Sequence, residues 1–162
     1  MNDERPPLHS GGCQCGAVRY ALHAEPFDAH ICHCRMCQKA FGGFYAPLTK
    51  VARDDLTWTR GAPANFRSSP DVDRGFCADC GTPLTFDHLG SPYINVAIGS
   101  LDHPEKARPK IQIGIESRVP WHDVLPALDE RLTEQILSPE RQARVQNHQH
   151  PDHDTESWSK DP

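Results

Sequence analysis

The sequence predicts a mainly β protein, and three observations carry that reading. Short β-branched or aromatic segments separated by turn residues fill the chain as far as Ser117. Fifteen prolines and 11 glycines among 162 residues leave little room for long helices. All seven cysteines fall into three tight clusters able to cross-link such segments. With 37% apolar residues, the length suits one domain with a modest core, short strands, short helices and a C-terminal helix.

Taken in order, the segments that read as strands are 17–22, 27–32, 44–48, 56–60, 64–67, 73–77, 83–86, 93–97 and 111–117. Residues 35–41 are the best early helix, about two turns long. In 110–116 (KIQIGIE) apolar and polar residues alternate, which predicts a half-buried antiparallel strand with Ile111, Ile113 and Ile115 on one side. After Trp121, Val124, Leu125, Leu128, Leu132 and Ile136 recur near helical spacing, interrupted by Pro126. Ser138-Pro139-Glu140 is a helix start: a capping hydroxyl, a proline in the first turn and an acid at the positive end of the dipole. The polar helix it begins is expected to end near Asn147. The organisation is thus a domain over 9–128, a helical extension over 129–147 and a polar tail over 148–162. With only Trp158 to bury, the tail is expected to be disordered.

The cysteines stand as Cys13-Gln14-Cys15, Cys32-His33-Cys34-Arg35-Met36-Cys37 and Cys77-Ala78-Asp79-Cys80. Thiols one or two residues apart can turn onto one ion, and zinc takes four ligands when structural but keeps a position open when it does chemistry. Seven divides into four and three. Glycines flank the outer pairs (Gly11, Gly12, Gly16, Gly81), where positive φ lets amides approach sulfur. The outer pairs are far apart in sequence, so a shared ion would clasp distant parts of the chain and remove loop entropy. Cys13, Cys15, Cys77 and Cys80 therefore read as a structural four-thiolate zinc site. A disulfide framework fits badly: the count is odd, Met1 to Ser10 carries no apolar run of a secretory or transit signal, and a cytoplasmic chain keeps its thiols reduced.

Three thiols within six residues can hold a second ion on one loop. His33 is too constrained between two ligands to add a fourth, whereas His30, His88 or His122 could reach; otherwise the position is open to water or substrate. Three thiolates on Zn²⁺ sum to minus one, which favours thiol activation over hydroxide generation. Arg35 and Lys39 could offset that charge and attract an anionic substrate, or could simply be solvated. A net charge of -5, with no run of Lys or Arg longer than two, argues against nucleic acid as partner. No segment approaches the ~20 apolar residues that would cross a membrane.

Together these residues resemble the glutathione-dependent formaldehyde-activating family, whose domain also occurs in centromere protein V. The matching elements are Gly11-Gly12-Cys13-Gln14-Cys15-Gly16-Ala17-Val18-Arg19-Tyr20, then Cys32-His33-Cys34-Arg35-Met36-Cys37-Gln38-Lys39, then Phe76-Cys77-Ala78-Asp79-Cys80-Gly81-Thr82-Pro83-Leu84. Ile98-Gly99-Ser100-Leu101-Asp102, Pro104, Pro109 and Trp121 follow the same pattern, so the resemblance runs from about His9 to Leu128. It implies a β-rich tent of small antiparallel sheets clasped by zinc. It also implies two zincs, structural at Cys13, Cys15, Cys77 and Cys80, and catalytic at Cys32, Cys34 and Cys37. The implied activity is that of a carbon–sulfur lyase, which reversibly adds glutathione or another thiol to formaldehyde or another small aldehyde. A non-catalytic zinc module that binds a protein partner is the alternative. Metal capture by His148, His150 and His153 is a weaker one. Neither the thiol, the aldehyde nor the oligomeric state is specified by the sequence.

Overall fold

A computed structural model describes residues 5–159 and places ten strands in two sheets. The smaller sheet joins β1 (His9–Gly12), β2 (Arg19–Leu22) and β5 (Leu56–Arg60), all antiparallel, with β2 in the middle. The larger contains β3 (Phe27–Cys32), β4 (Ala46–Ala52), β6 (Ala64–Ser69), β7 (Val72–Phe76), β8 (Pro83–His88), β9 (Tyr93–Ala97) and β10 (Ile111–Ile113). Its order is β10-β3-β4-β9-β8-β7-β6. The mainly β expectation holds, with short helices between and after the strands.

All four residues of β2 are buried. Tyr20 and Leu22 are fully enclosed, in a cluster with Val18, Leu84, Val96, Ile98 and Leu101. The Tyr20 hydroxyl is satisfied at 2.8 Å by Ser100 Oγ, which in turn donates to the Ala97 carbonyl. Cys13 and Cys77 belong to this same core, so the outer cysteine pairs sit where the two sheets meet. A second, smaller cluster gathers Cys32, Cys37, Ala46 and Leu48, with Phe41 and Phe86 against it.

The predicted strands 27–32, 56–60 and 93–97 match the observed bounds; most others differ by a few residues, and β1 had no predicted counterpart. The 111–117 segment departs further. It is a strand only over Ile111–Ile113, and pairs parallel with β3, not antiparallel (Ile111 opposite His30, Ile113 opposite Cys32). Gly114 then takes φ +64°, and a 3₁₀ turn follows. β10 is a three-residue edge strand, and Ile111 and Ile113 on it and Ile115 in the turn after it stay exposed.

The helical spacing after Trp121 is likewise not realised as one helix. Around Pro126 the chain forms a 3₁₀ stretch, His122–Ala127, and helix resumes only in the single turns α2 (Thr133–Ile136) and α3 (Pro139–Gln142); α1 is the earlier helix Arg35–Phe41. The Ser138 cap forms as read, its hydroxyl accepting from Arg141 N, but α3 stops five residues short of Asn147. Val124, Leu128, Leu132 and Ile136 remain exposed.

Over its described part, 148–159, the tail makes specific contacts with the Cys13–Gly16 turn and with β2 and β5. His150 is 3% exposed. Its amide donates to Gln14 O at 2.8 Å, and the Trp158 indole donates to Cys15 O at 2.9 Å. Asp154 accepts from Arg19, and Thr155 O from Arg60 at 2.6 Å. Polar groups that find partners dock this segment with one aromatic anchor and without an apolar face. Positions 160–162 lie outside the described residues.

Candidate metal centres

The two outer cysteine pairs each occupy a tight turn at the end of a strand. After β1, Gly16 N donates to Cys13 O and Cys13 N to Val18 O; after β7, Gly81 N donates to Cys77 O and Cys77 N to Thr82 O. Gly16 (φ +73°) and Gly81 (φ +77°) close these turns in the left-handed region, where a side chain would be strained. At Gly16 a Cβ would also collide with His150 and Trp158 at 2.5 and 2.6 Å, so the tail needs that glycine too.

The four sulfurs converge, all ligand atoms lying within 4.8 Å of one another. Zinc–sulfur bonds of about 2.3 Å in a tetrahedron require sulfurs about 3.8 Å apart. Cys13 and Cys15 stand 3.6 Å apart, Cys15 and Cys77 3.8 Å. The donor set therefore fits zinc. Val18 N donates to Cys13 Sγ at 3.2 Å, and Gln14 N and Cys80 Sγ both meet Thr82 Oγ1. Without an ion the thiols differ in acidity. Burial pushes Cys13 up to about 12. At Cys80 burial acts in the same direction, but hydrogen bonds from Thr82 and Cys15 outweigh it and bring the thiol to about 6. A bound cation would hold all four as thiolates.

The central triplet is spread over three local structures. Cys32 ends β3, Cys34 caps α1 with its sulfur accepting from Cys37 N at 3.4 Å, and Cys37 lies in the first turn of the helix. Gln38 fixes the loop: its amide nitrogen donates to His33 O and Ser117 O at 2.8 and 2.9 Å. Gly42, φ +62°, ends the helix. The three sulfurs also lie within 4.8 Å of one another, and among the described residues no histidine, carboxylate or further cysteine joins them. The set can hold an ion and leaves it one protein ligand short of a closed site.

The histidines weighed above, His33 as too constrained and His30, His88 and His122 as possible fourth ligands, are placed as follows. His33 turns away, fully buried, with Nε2 2.8 Å from Gln112 Oε1 and its ring edge-on to Tyr45 and His122. His122 contacts Asp123. His30 and His88 line a cavity of about 460 Å³ that also exposes Cys32 and Cys37. Leu48, Phe86, Tyr93, Ile111 and Ile113 form its apolar wall, and the Lys50–Asp28 ion pair and Asn95 its polar part. Asp28 holds φ 49°, where the β3–β4 register slips. Arg35 and Lys39 are not in this lining; they border a neighbouring groove with Met36, Phe66 and Arg74. Sequence reasoning missed Arg74, whose guanidinium reaches Cys37 Sγ from β7; nothing local in Asp73-Arg74-Gly75 marks it. His148, His150 and His153 form no metal cluster with other described residues.

Because the tail lies on the Cys13–Gly16 turn, removing residues from His148 onward is expected to cost about 2–4 kcal/mol, the sum of a few hydrogen bonds and a partly buried charge contact. It should also speed metal loss from the outer cysteines. Thermal melting and the rate of release to a chromogenic chelator would show both. Unchanged release would mean that the tail does not protect the turn.

Residues 8–117 match the family described as glutathione-dependent formaldehyde-activating enzyme. A curated relative from Halomonas elongata, named "Putative glutathione-dependent formaldehyde-activating enzyme", is 25% identical over 130 residues, covering 72% of this chain and 81% of its own. A structural-genomics crystal structure of a Rhodobacter sphaeroides protein shares the fold, with a TM-score of 0.52 and 23% identity, covering 64% of this chain and 98% of that one. Among the described residues no helix is long and apolar enough to cross a membrane.

Proposed function

Because the chain belongs to the glutathione-dependent formaldehyde-activating family, we propose that it is a zinc-dependent carbon–sulfur lyase joining a thiol to formaldehyde or another small aldehyde. One observation carries this reading: among the described residues the three-cysteine set has no fourth protein ligand, and it borders a cavity lined by two of its cysteines. Cys32, Cys34 and Cys37 would hold the catalytic ion, and Cys13, Cys15, Cys77 and Cys80 the structural one. Bound at the triplet, zinc supplies a Lewis acid that makes a thiol acidic near neutral pH.

The chain's own residues supply position and proton transfer. The apolar wall gives the carbon skeletons of thiol and aldehyde a surface to pack on. The volume suits a thiol of several heavy atoms beside a very small aldehyde. Asn95 belongs to the cavity lining, and its buried Oδ1 has no hydrogen-bond partner among the described residues. His30 Nδ1 lies 2.8 Å from the Asp28 carbonyl and must donate to it, so Nε2 carries the lone pair. Nε2 is assigned the thiol proton. As sulfur attacks the carbonyl carbon, the C=O π pair moves to oxygen, which recovers that proton from His30 to give the hemithioacetal. One S–C and one O–H bond form while one S–H and the C=O π bond are lost, and the reverse path uses the same groups.

Cys37→Ala is expected to reduce exchange between free formaldehyde and its hemithioacetal to the uncatalysed rate, with the outer metal retained. His30→Gln should slow exchange about 10²-fold, the lower range for a positioned acid–base group. Exchange spectroscopy with glutathione and with smaller thiols measures both. If the wild-type protein leaves the uncatalysed rate unchanged for every thiol–aldehyde pair, the enzyme reading gives way to a non-catalytic zinc module.

A further inference from the structure

Several arginines besides Arg74 each have an acid or a carbonyl: Arg5 with Asp55, Arg19 with Asp102 and Asp154, Arg53 with Asp87, Arg67 with Asp73, Arg118 with Asp123, and Arg60 with Thr155 O. Arg74 differs. It is 7% exposed, and among the described residues no carboxylate is in ion-pair contact with it. Its Nε donates to Ser68 Oγ at 3.2 Å, and its guanidinium carbon lies 4.9 Å from the Phe86 ring centroid. The remaining two nitrogens, Nη1 and Nη2, stand 3.7 and 3.6 Å from one atom, Cys37 Sγ.

A guanidinium does not give up its proton in a protein, and a buried cation without an opposite charge costs several kcal/mol. A hydroxyl and an aromatic face do not supply that charge. Among the described residues, the anion-forming group in direct contact with it is the Cys37 sulfur. We propose that Arg74 is the resident counter-charge of the Cys32–Cys34–Cys37 site and a positioning residue for it, holding Cys37 Sγ with two N–H groups and offsetting the excess negative charge of three thiolates on a divalent ion. This rests on the triplet holding such an ion. With Arg74 the loaded site is neutral as a whole, so an entering thiolate leaves it at minus one, not minus two. Phe86 ties the device to the cavity, since the same ring walls the cavity and covers the guanidinium.

The test uses the full chain loaded with cobalt, with glutathione and 2-mercaptoethanol as thiol probes. Arg74→Gln is expected to lower cobalt affinity at the central site 10- to 100-fold, as loss of groups bonded to metal ligands generally does. Affinity at the outer site should not move, which supplies an internal control. Both thiols should bind the loaded variant at least 10-fold more weakly, judged by the thiolate-to-cobalt absorption. Arg74→Lys keeps the charge and loses the fork, so it should hold cobalt within a few-fold of wild type yet shift that absorption band. If Arg74→Gln does not fold, the lysine variant decides: an unshifted band overturns the proposal. A lower melting temperature with unchanged central affinity and thiol binding also overturns it, as a purely structural arginine would behave so. Wild-type protein that binds one cobalt only would instead sink the two-site reading, and Arg74 with it.

Discussion

Replacing Cys77 with serine should abolish the outer metal site and leave little folded protein. Cys77 is 1% exposed and lies in the core shared by the two sheets, and its partners Cys13 and Cys15 come from the opposite sheet's first turn. A serine hydroxyl stays protonated where the thiol would ionise, so it does not replace a thiolate ligand. Structural zinc sites contribute on the order of 10 kcal/mol in peptide systems. Whole domains are stable by only about 5–15 kcal/mol. The loss is therefore comparable with total stability. Cys34→Ser should do less, because Cys34 belongs to a local loop already fixed by β3, α1 and Gln38. Soluble yield, melting temperature and metal content would compare the two. Equal damage from both substitutions would show that the central site is as structural as the outer one.

The cysteine constellation was legible because its signal is local. Ligands one to three residues apart need only a short turn, and the flanking Gly16 and Gly81 report the positive φ those turns use. Strands such as 27–32 and 93–97 were legible for a similar reason, being β-branched or aromatic runs between turn residues. Features decided by distant partners were not. The Lys110–Glu116 alternation is real, but whether a strand pairs parallel or antiparallel depends on which edge it reaches, and here it reaches β3. Arg74 sits 37 positions from Cys37 with no motif around it. The contacts of the tail were not legible from composition. A rule that weighs apolar burial cannot see Asp154 meeting Arg19 or Thr155 meeting Arg60, both of which depend on a surface built by earlier strands.

Arg19→Met is expected to destabilise the protein by about 3–5 kcal/mol, as removal of one member of a buried ion pair does. Arg19 and Asp102 side chains are 3% and 5% exposed, and the guanidinium meets the carboxylate in two bonds of 2.8 and 2.6 Å. Without it the hydrogen bond left to the Asp102 carboxylate among the described residues is that from the Ser10 hydroxyl, and the tail loses the contact it makes through Asp154. In the wild type burial pushes the Asp102 carboxyl up, but the bonds from Arg19 and Ser10 outweigh it and hold the carboxyl below its usual range. The sign follows: a depressed folded-state pKa adds stability above the unfolded value, near 4, and that stability is lost as pH falls through the folded value. In the variant the orphaned carboxylate is harmful mainly when ionised, so the gap between the two proteins should narrow on acidification. Because thiolate sites also lose metal in acid, the decisive comparison is at pH 7 with Arg19→Met/Asp102→Leu. Replacing both charges by apolar groups should recover much of the loss. Urea unfolding gives the stabilities, and Trp158 fluorescence reports whether the tail has lifted from the Cys13–Gly16 turn. A double variant no more stable than the single one would mean that the cost lies in packing and not in a stranded charge.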